Sequence, residues 1–309
     1  MPTRREVAKI KADFIDSREK LIRSKISQKQ LDLFDELFNK YLASLSGKEF
    51  SSAEELKVIS KIEKAVKDFS IQTNSAILKE YATSSTSLGD LNMAYFATMF
   101  DDPKRLDLIK QKTQQSLNKR LGLNEDGTLK KSGFIDKAIA DTSMQKEIVK
   151  ATKKAISNNY DLQMLKQTFS DIIVGNQEQS GIFERYYNTF AKDILNTIDN
   201  SNSKIFADEL GLKHAYYSGG LMKTSRPFCI KHNGKIFTQD QIDNFKNDPL
   251  IQDMYGANIS DYDPNELPGG YGCKHSLDYI TADLAIGIIK KQNLKAVKRN
   301  DAFKKRNNL

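Results

Sequence analysis

The chain has no tryptophan, only two cysteines and three histidines, and just six prolines in 309 residues. Two cysteines are too few for the disulfide framework that staples small secreted domains. The longest purely apolar run, Leu284 to Ile289, is far too short to cross a bilayer, which takes about 20 apolar residues. The opening Met1-Pro-Thr-Arg-Arg-Glu6 leads into charged sequence, not into the apolar stretch of a secretory signal. No Gly-x-Ser-x-Gly, His-Glu-x-x-His, Walker or Gly-x-Gly-x-x-Gly pattern occurs, so the common hydrolase, metalloprotease and nucleotide-binding signatures are missing. These absences point to a polar, soluble chain assembled in a reducing compartment, with no membrane segment.

Apolar residues make up 39% of the chain and charged residues 28%, and its length suffices for a substantial core and two domains. The first two-thirds read as helices. Val7, Ile10, Phe14, Leu21, Ile22, Leu31, Phe34, Leu37, Phe38 and Leu42 recur largely at three-to-four spacing, the mark of a buried helix face. Ser51 and Glu54 form a capping-box pattern, and Asp101-Asp102-Pro103 reads as a second helix start. The small-residue stretch Thr83 to Gly89 reads as a loop, and Asn124-Glu125-Asp126-Gly127 as a turn. A capping box at Thr142 to Gln145 opens one long amphipathic stretch through Phe169, broken at Gly175. A further helix is expected from Ile182 to Leu210, closed by Gly211.

The pattern changes there. His214 to Ser218 and Lys235 to Phe237 read as short strands, and Gln239 to Asn247 as a polar helix. Four of the six prolines fall between 227 and 268. The expected fold is α+β: a mostly helical body over 1–210, a small loop-rich α+β module over 211–282, and a basic tail over 283–309. From Ala285 onward, Lys290, Lys291, Lys295, Lys298, Arg299, Lys304, Lys305 and Arg306 face a single acid, Asp301, giving +7 of the chain's net +8. Such a tail suits non-specific phosphate contact, or simply solvates the chain end.

Both cysteines and two of the three histidines lie in two short clusters, Cys229-Ile-Lys-His232 and Cys273-Lys-His275. Spacings of three and two let each pair aim at one ion, and thiolate with neutral imidazole suits tetrahedral Zn2+. Four protein ligands would close the shell and leave no catalytic position. The same residues are compatible with a metal-free module or with a Cys229–Cys273 disulfide, and a thiol nucleophile beside a histidine is a further alternative. Asp261-Tyr-Asp263-Pro-Asn265-Glu266 lacks the glycine and closing glutamate of a calcium loop and reads as turn chemistry.

The stretch from about Tyr186 to Ile280 resembles the C-terminal part of phage Mu F-like minor head (head morphogenesis) proteins. The resemblance is carried by Phe206-Ala-Asp-Glu-Leu-Gly-Leu212, by His214-Ala-Tyr-Tyr-Ser-Gly-Gly-Leu-Met-Lys-Thr-Ser-Arg-Pro-Phe-Cys229, by Asn233-Gly-Lys-Ile-Phe237 and by Gly269-Gly-Tyr-Gly-Cys-Lys-His275. Cys229, Cys273 and His275 match the family's cysteine-rich frame. His232 stands where a second cysteine is usual, Thr224 where an acid is, and Lys274 where an arginine is. The resemblance implies a non-enzymatic virion protein of the phage head, assembled in the host cytoplasm near the portal vertex. Its implied partners are the portal or major capsid protein and packaged double-stranded DNA, and its implied metal is structural zinc. A metal-dependent nuclease and a zinc-stapled DNA-binding protein are the alternatives.

Overall fold

The computed structural model describes residues 2–47, 49, 51–124, 130–131, 143–182, 184–185 and 194–292. Helices dominate: α1 (Arg4–Lys40), α2 (Ser52–Ala97), α3 (Pro103–Leu121), α4 (Ser143–Ser157), α5 (Leu162–Ile173) and α6 (Ile194–Leu210). The C-terminal region then builds β1 (His214–Ser218), α7 (Pro227–His232), β2 (Ile236–Thr238), α8 (Gln239–Asp243), α9 (Pro249–Tyr255) and β3 (Ser276–Ile280). The mostly helical α+β class is thus the observed one.

Local signals place several boundaries. Ser51 and Glu54 exchange the capping-box hydrogen bonds, the Glu54 carboxylate accepting from the Ser51 amide at 3.0 Å. Asp102 accepts from the Arg105 amide at 3.0 Å ahead of Pro103. Gly211 ends α6 at φ +71°, with the Leu212 amide bonded to the Ala207 carbonyl.

Other expectations are corrected. The predicted loop at Thr83 to Gly89 lies inside α2, because Ser84, Ser85 and Leu88 are buried and their small size serves packing. The predicted single stretch from 143 to 169 is two helices. Asn159 takes a positive φ of 48°, and Asp161 starts α5 by accepting from the Met164 amide. In α1 the buried stripe is Val7, Lys11, Ile15, Ile22, Ile26, Leu33 and Leu37, with Glu19 and Gln30 also buried, while Ile10, Leu21 and Leu31 are exposed. Polar residues thus hold core positions that an apolar-only pattern passes over. The Glu125 to Gly127 part of the turn, Thr142 of the second capping box, and residues 183 and 186–193 of the last predicted helix lie outside the described residues.

The chain divides into two compact units. One contains the described residues of Met1–Asp13, Ser85–Gln115 and Asp193–Leu309; the other, those of Phe14–Ser84 and Ser116–Lys192. Residue 210 therefore marks a change of secondary structure, while the unit holding the sheet also takes in helical segments from the N-terminal half. In the second unit α1 and α2 pair antiparallel: Arg18 and Lys25 reach Glu80, and Lys29 lies over the Phe69 ring.

In the first unit a three-stranded antiparallel sheet has the order β2-β1-β3. Ala215 faces Phe237 on one side and Tyr279 on the other, and Tyr217 faces Leu277. Period-two alternation buries Ala215 and Tyr217 on one face of β1. They join a core with Phe96, Phe206, Phe228 and Phe245, in which the Phe96 and Phe206 rings stack at 4.8 Å. Asn200 on α6 fixes β3 by accepting from the Leu277 amide at 3.1 Å and donating to the Glu266 carbonyl at 3.0 Å.

Candidate metal centre

Cys229 sits in the short helix α7, which Pro227 starts without needing an amide partner. Cys273 sits in a tight loop, its amide bonded to the Gly270 carbonyl. His275 directly precedes β3. All three are buried, and their ligand atoms lie within 4.8 Å of one another. The two sulfurs are 3.7 Å apart and unbonded. The Cys273 sulfur is 3.5 Å from His275 Nδ1.

These separations fit a tetrahedral ion. Zinc bonds of about 2.3 Å to sulfur and about 2.0 Å to nitrogen put two sulfurs about 3.8 Å apart, and sulfur and nitrogen about 3.5 Å apart. Two thiols and an imidazole in a buried cluster can hold a metal ion, with a donor set compatible with zinc. Acidity points the same way. Hydrogen bonding from Cys273 pushes the Cys229 thiol well down against the opposing effect of burial, with help from His275 and Tyr217. Its bond to Cys229 and then burial push Cys273 up. A bound cation would require both thiols to lose their protons, so metal binding and proton release are linked here.

The loop is shaped around the sulfurs. A Cβ built on Gly269 would lie 2.4 Å from the Cys273 sulfur and 2.6 Å from that of Cys229, so any side chain there would occupy the cluster. A Cβ on Gly219 would press into the His275 ring at 2.5 Å. Arg226, immediately before α7, donates to the Gly269 and Tyr271 carbonyls and ties the two cysteine-bearing segments together. Tyr217 donates its hydroxyl to the Cys229 sulfur at 3.5 Å and lies 3.8 Å from that of Cys273. Burial and then the neighbouring thiols push its phenol well up, so it stays a donor.

The structure therefore brings together three of the four predicted ligands. His232 does not join them. Its ring packs against Phe228, Phe237 and Phe245, with centroids 4.2 to 5.2 Å away. Its Nε2 is 3.7 Å from an Asp248 carboxylate oxygen, too long for a hydrogen bond. Burial, then Lys231, holds its pKa below the usual histidine value. The aromatic box around the end of α7 claims the ring that sequence spacing assigns to the metal.

Replacing His232 by phenylalanine is thus expected to leave metal content unchanged and stability at pH 7.5 within about 1 kcal/mol, since among the described residues neither ring nitrogen has a hydrogen-bond partner. The unfolded chain protonates this histidine more readily than the folded one. Its effect therefore lowers wild-type stability as pH falls below about 6.5, and His232→Phe removes that loss. Metal analysis and thermal melts at pH 7.5 and 5.5 check both points.

Lys290 and Lys291 are exposed at the end of a helix spanning residues 282–292, where Gln292 donates to the Gly234 carbonyl at 2.7 Å. Lys295, Lys298, Arg299, Lys304, Lys305 and Arg306 lie outside the described residues. Asp263 accepts from the Asn265 amide at 2.8 Å, turn chemistry of the kind expected for that acidic loop. No helix among the described residues is long and apolar enough to cross a membrane. Spacing pointed to neither Tyr217 nor Gly269. The available signal was the inward phase that Tyr217 shares with Ala215, and the presence of Gly269 in the motif that closes on Cys273.

Comparison with protein-family models, with curated proteins and with solved structures found no match to this chain.

Proposed function

We propose that this is a structural protein of a phage head, of the Mu F-like minor head type, in which Cys229, Cys273 and His275 hold a structural zinc ion. The observation that carries this reading is the convergence of the resembling motif pieces. His214 to Ser218 brings Tyr217 to the thiols, Arg226 grips the Gly269 to Tyr271 loop, and Cys229, Cys273 and His275 meet at one buried point. Pieces spread over 60 residues thus share one physical task, closing a small module around an ion. The ion would contribute folding energy by binding only the closed module. Tyr217 supplies a hydrogen bond to sulfur that steadies the ligand, as outer partners do at metal sites.

In this role the chain binds the portal or the major capsid protein, and the basic residues from Lys290 onward contact packaged double-stranded DNA without regard to sequence. Coexpression with tagged portal and major capsid proteins of the same phage tests the partner. Retention of the chain on either one is expected, and retention on neither would contradict the assembly role.

A further inference from the structure

We propose that a lysine groove between α2 and α4 is a second binding surface for the phosphodiester backbone of nucleic acid, separate from the C-terminal basic residues. The groove lies within one compact unit, has a volume of about 830 Å3, and is lined by Lys64 and Lys67 of α2 and by Lys146, Lys150 and Lys153 of α4. All five lysines are exposed, and among the described residues none has an ion-pair or hydrogen-bond partner. Among the described residues Glu63 is the only acid in the lining. Glu147, on α4, is engaged with Arg185.

The arrangement is regular. Positions 146, 150 and 153 recur at helical spacing on one face of α4, and Ser60, Lys64 and Lys67 do so on α2. Seven residues of helix cover about 10.5 Å, and double-stranded DNA carries about one charge per 1.7 Å of axis, so the rows face roughly six phosphates over that length. Five unpaired ammonium groups converging on one groove repel each other, and a polyanion relieves that repulsion while releasing its own counterions. Among the described residues the lining has no arginine and no aromatic side chain. It therefore offers point charges, with neither bidentate base contacts nor stacking platforms, and favours the backbone over the bases. An acidic protein surface is disfavoured because, among the described lining residues, the one apolar side chain, Val149, is buried.

The test uses the full chain and a 30-base-pair mixed-sequence duplex, with the corresponding single strand as a second arm, in fluorescence anisotropy across a salt series. Changing all five lysines to glutamine should weaken duplex binding at least 10-fold and lower the slope of log K against log salt by about 4, near 0.9 per phosphate released. A control set, Lys9, Lys20, Lys104, Lys166 and Lys246 to glutamine, removes the same charge elsewhere and should change binding less than 3-fold. Removing residues 293–309 should leave the groove's share of the salt slope in place. Loss on the single strand at least equal to that on the duplex assigns the groove to a single backbone; a larger loss on the duplex assigns it to double-stranded DNA. Unchanged binding by the groove variant, with an unaltered circular dichroism spectrum, would overturn the proposal. So would an equal loss in the control set, or a loss of binding to polyglutamate with none to nucleic acid. Because none of these outcomes involves the head or portal, they are independent of the assembly role.

Discussion

Replacing Cys273 by serine is expected to abolish metal retention and to lower sharply the melting temperature of the compact unit that holds the sheet. Cys273 is the centre of the cluster, within 3.5 to 3.8 Å of His275 Nδ1, the Cys229 sulfur and the Tyr217 hydroxyl. A serine hydroxyl is shorter, harder and far less acidic than a thiol, and two remaining ligands hold zinc poorly. An ion present at 1,000 times its dissociation constant contributes about 4 kcal/mol to the folded state. For a unit of this size each kcal/mol corresponds to roughly 2–4 °C, so a fall of about 8–16 °C is expected in zinc-containing buffer. In chelator the wild type should fall to meet the variant. Equal melting of the two proteins in both buffers would show that the cluster holds no stabilising ion. At pH 7.5 His232→Phe should respond to zinc and to chelator as the wild type does, which separates the three-ligand cluster from the four-ligand set that spacing suggests.

The second large effect concerns Lys11. Its side chain is 3% exposed and pairs at 3.1 Å with Asp199, which is fully buried. Asn92 completes the group, donating to Asp199 at 2.8 Å and accepting from Lys11 at 3.2 Å and from Ser203 at 2.8 Å. Lys11→Met leaves a carboxylate in the core with its cation gone and is expected to cost about 3–5 kcal/mol. Asp199→Asn alone strands the ammonium group and should be comparably harmful. The double variant Lys11→Met/Asp199→Asn has no uncompensated charge, so the two costs should fall short of additive by about 1–3 kcal/mol. Denaturant unfolding of the four proteins measures this coupling, and simple additivity would mean that the pair is not coupled. Asp278 lies in the same electrostatic neighbourhood. Burial pushes its carboxyl up, while Lys11 and the Ser218 hydroxyl pull it down, so Lys11→Met should push it further up.

The legible parts of the fold were those in which one residue type has one local use. Ser51 with Glu54, Asp102 with Pro103, and Gly211 mark helix ends through backbone groups that only such residues satisfy. The strand at His214 to Ser218 was legible for the same kind of reason, a short aromatic run bounded by glycines. What was not legible depends on tertiary partners. Thr83 to Gly89 has a loop-like composition, yet burial of Ser84, Ser85 and Leu88 keeps it helical. Lys11 carries a charge that sequence patterning assigns to solvent, and its burial is made tolerable by Asp199, almost 190 residues away, together with Asn92 and Ser203.

The site divides along the same line. Cys229, Cys273 and His275 were legible because soft ligands are so scarce in this chain. His232 has the right spacing, but Phe237 and Phe245 from later elements surround its ring, and spacing within one helix carries no information about them. Tyr217 and Arg226 act on the cluster through contacts that span 12 and 43 residues, beyond the reach of a local motif.

The most direct measurement for the proposed head role is quantitative mass spectrometry of virions and proheads purified from particles whose genome carries the gene for this chain. A minor head protein of the proposed kind is expected in both, at a few copies per particle and far below the major capsid protein. Complete absence from both would contradict the head assignment.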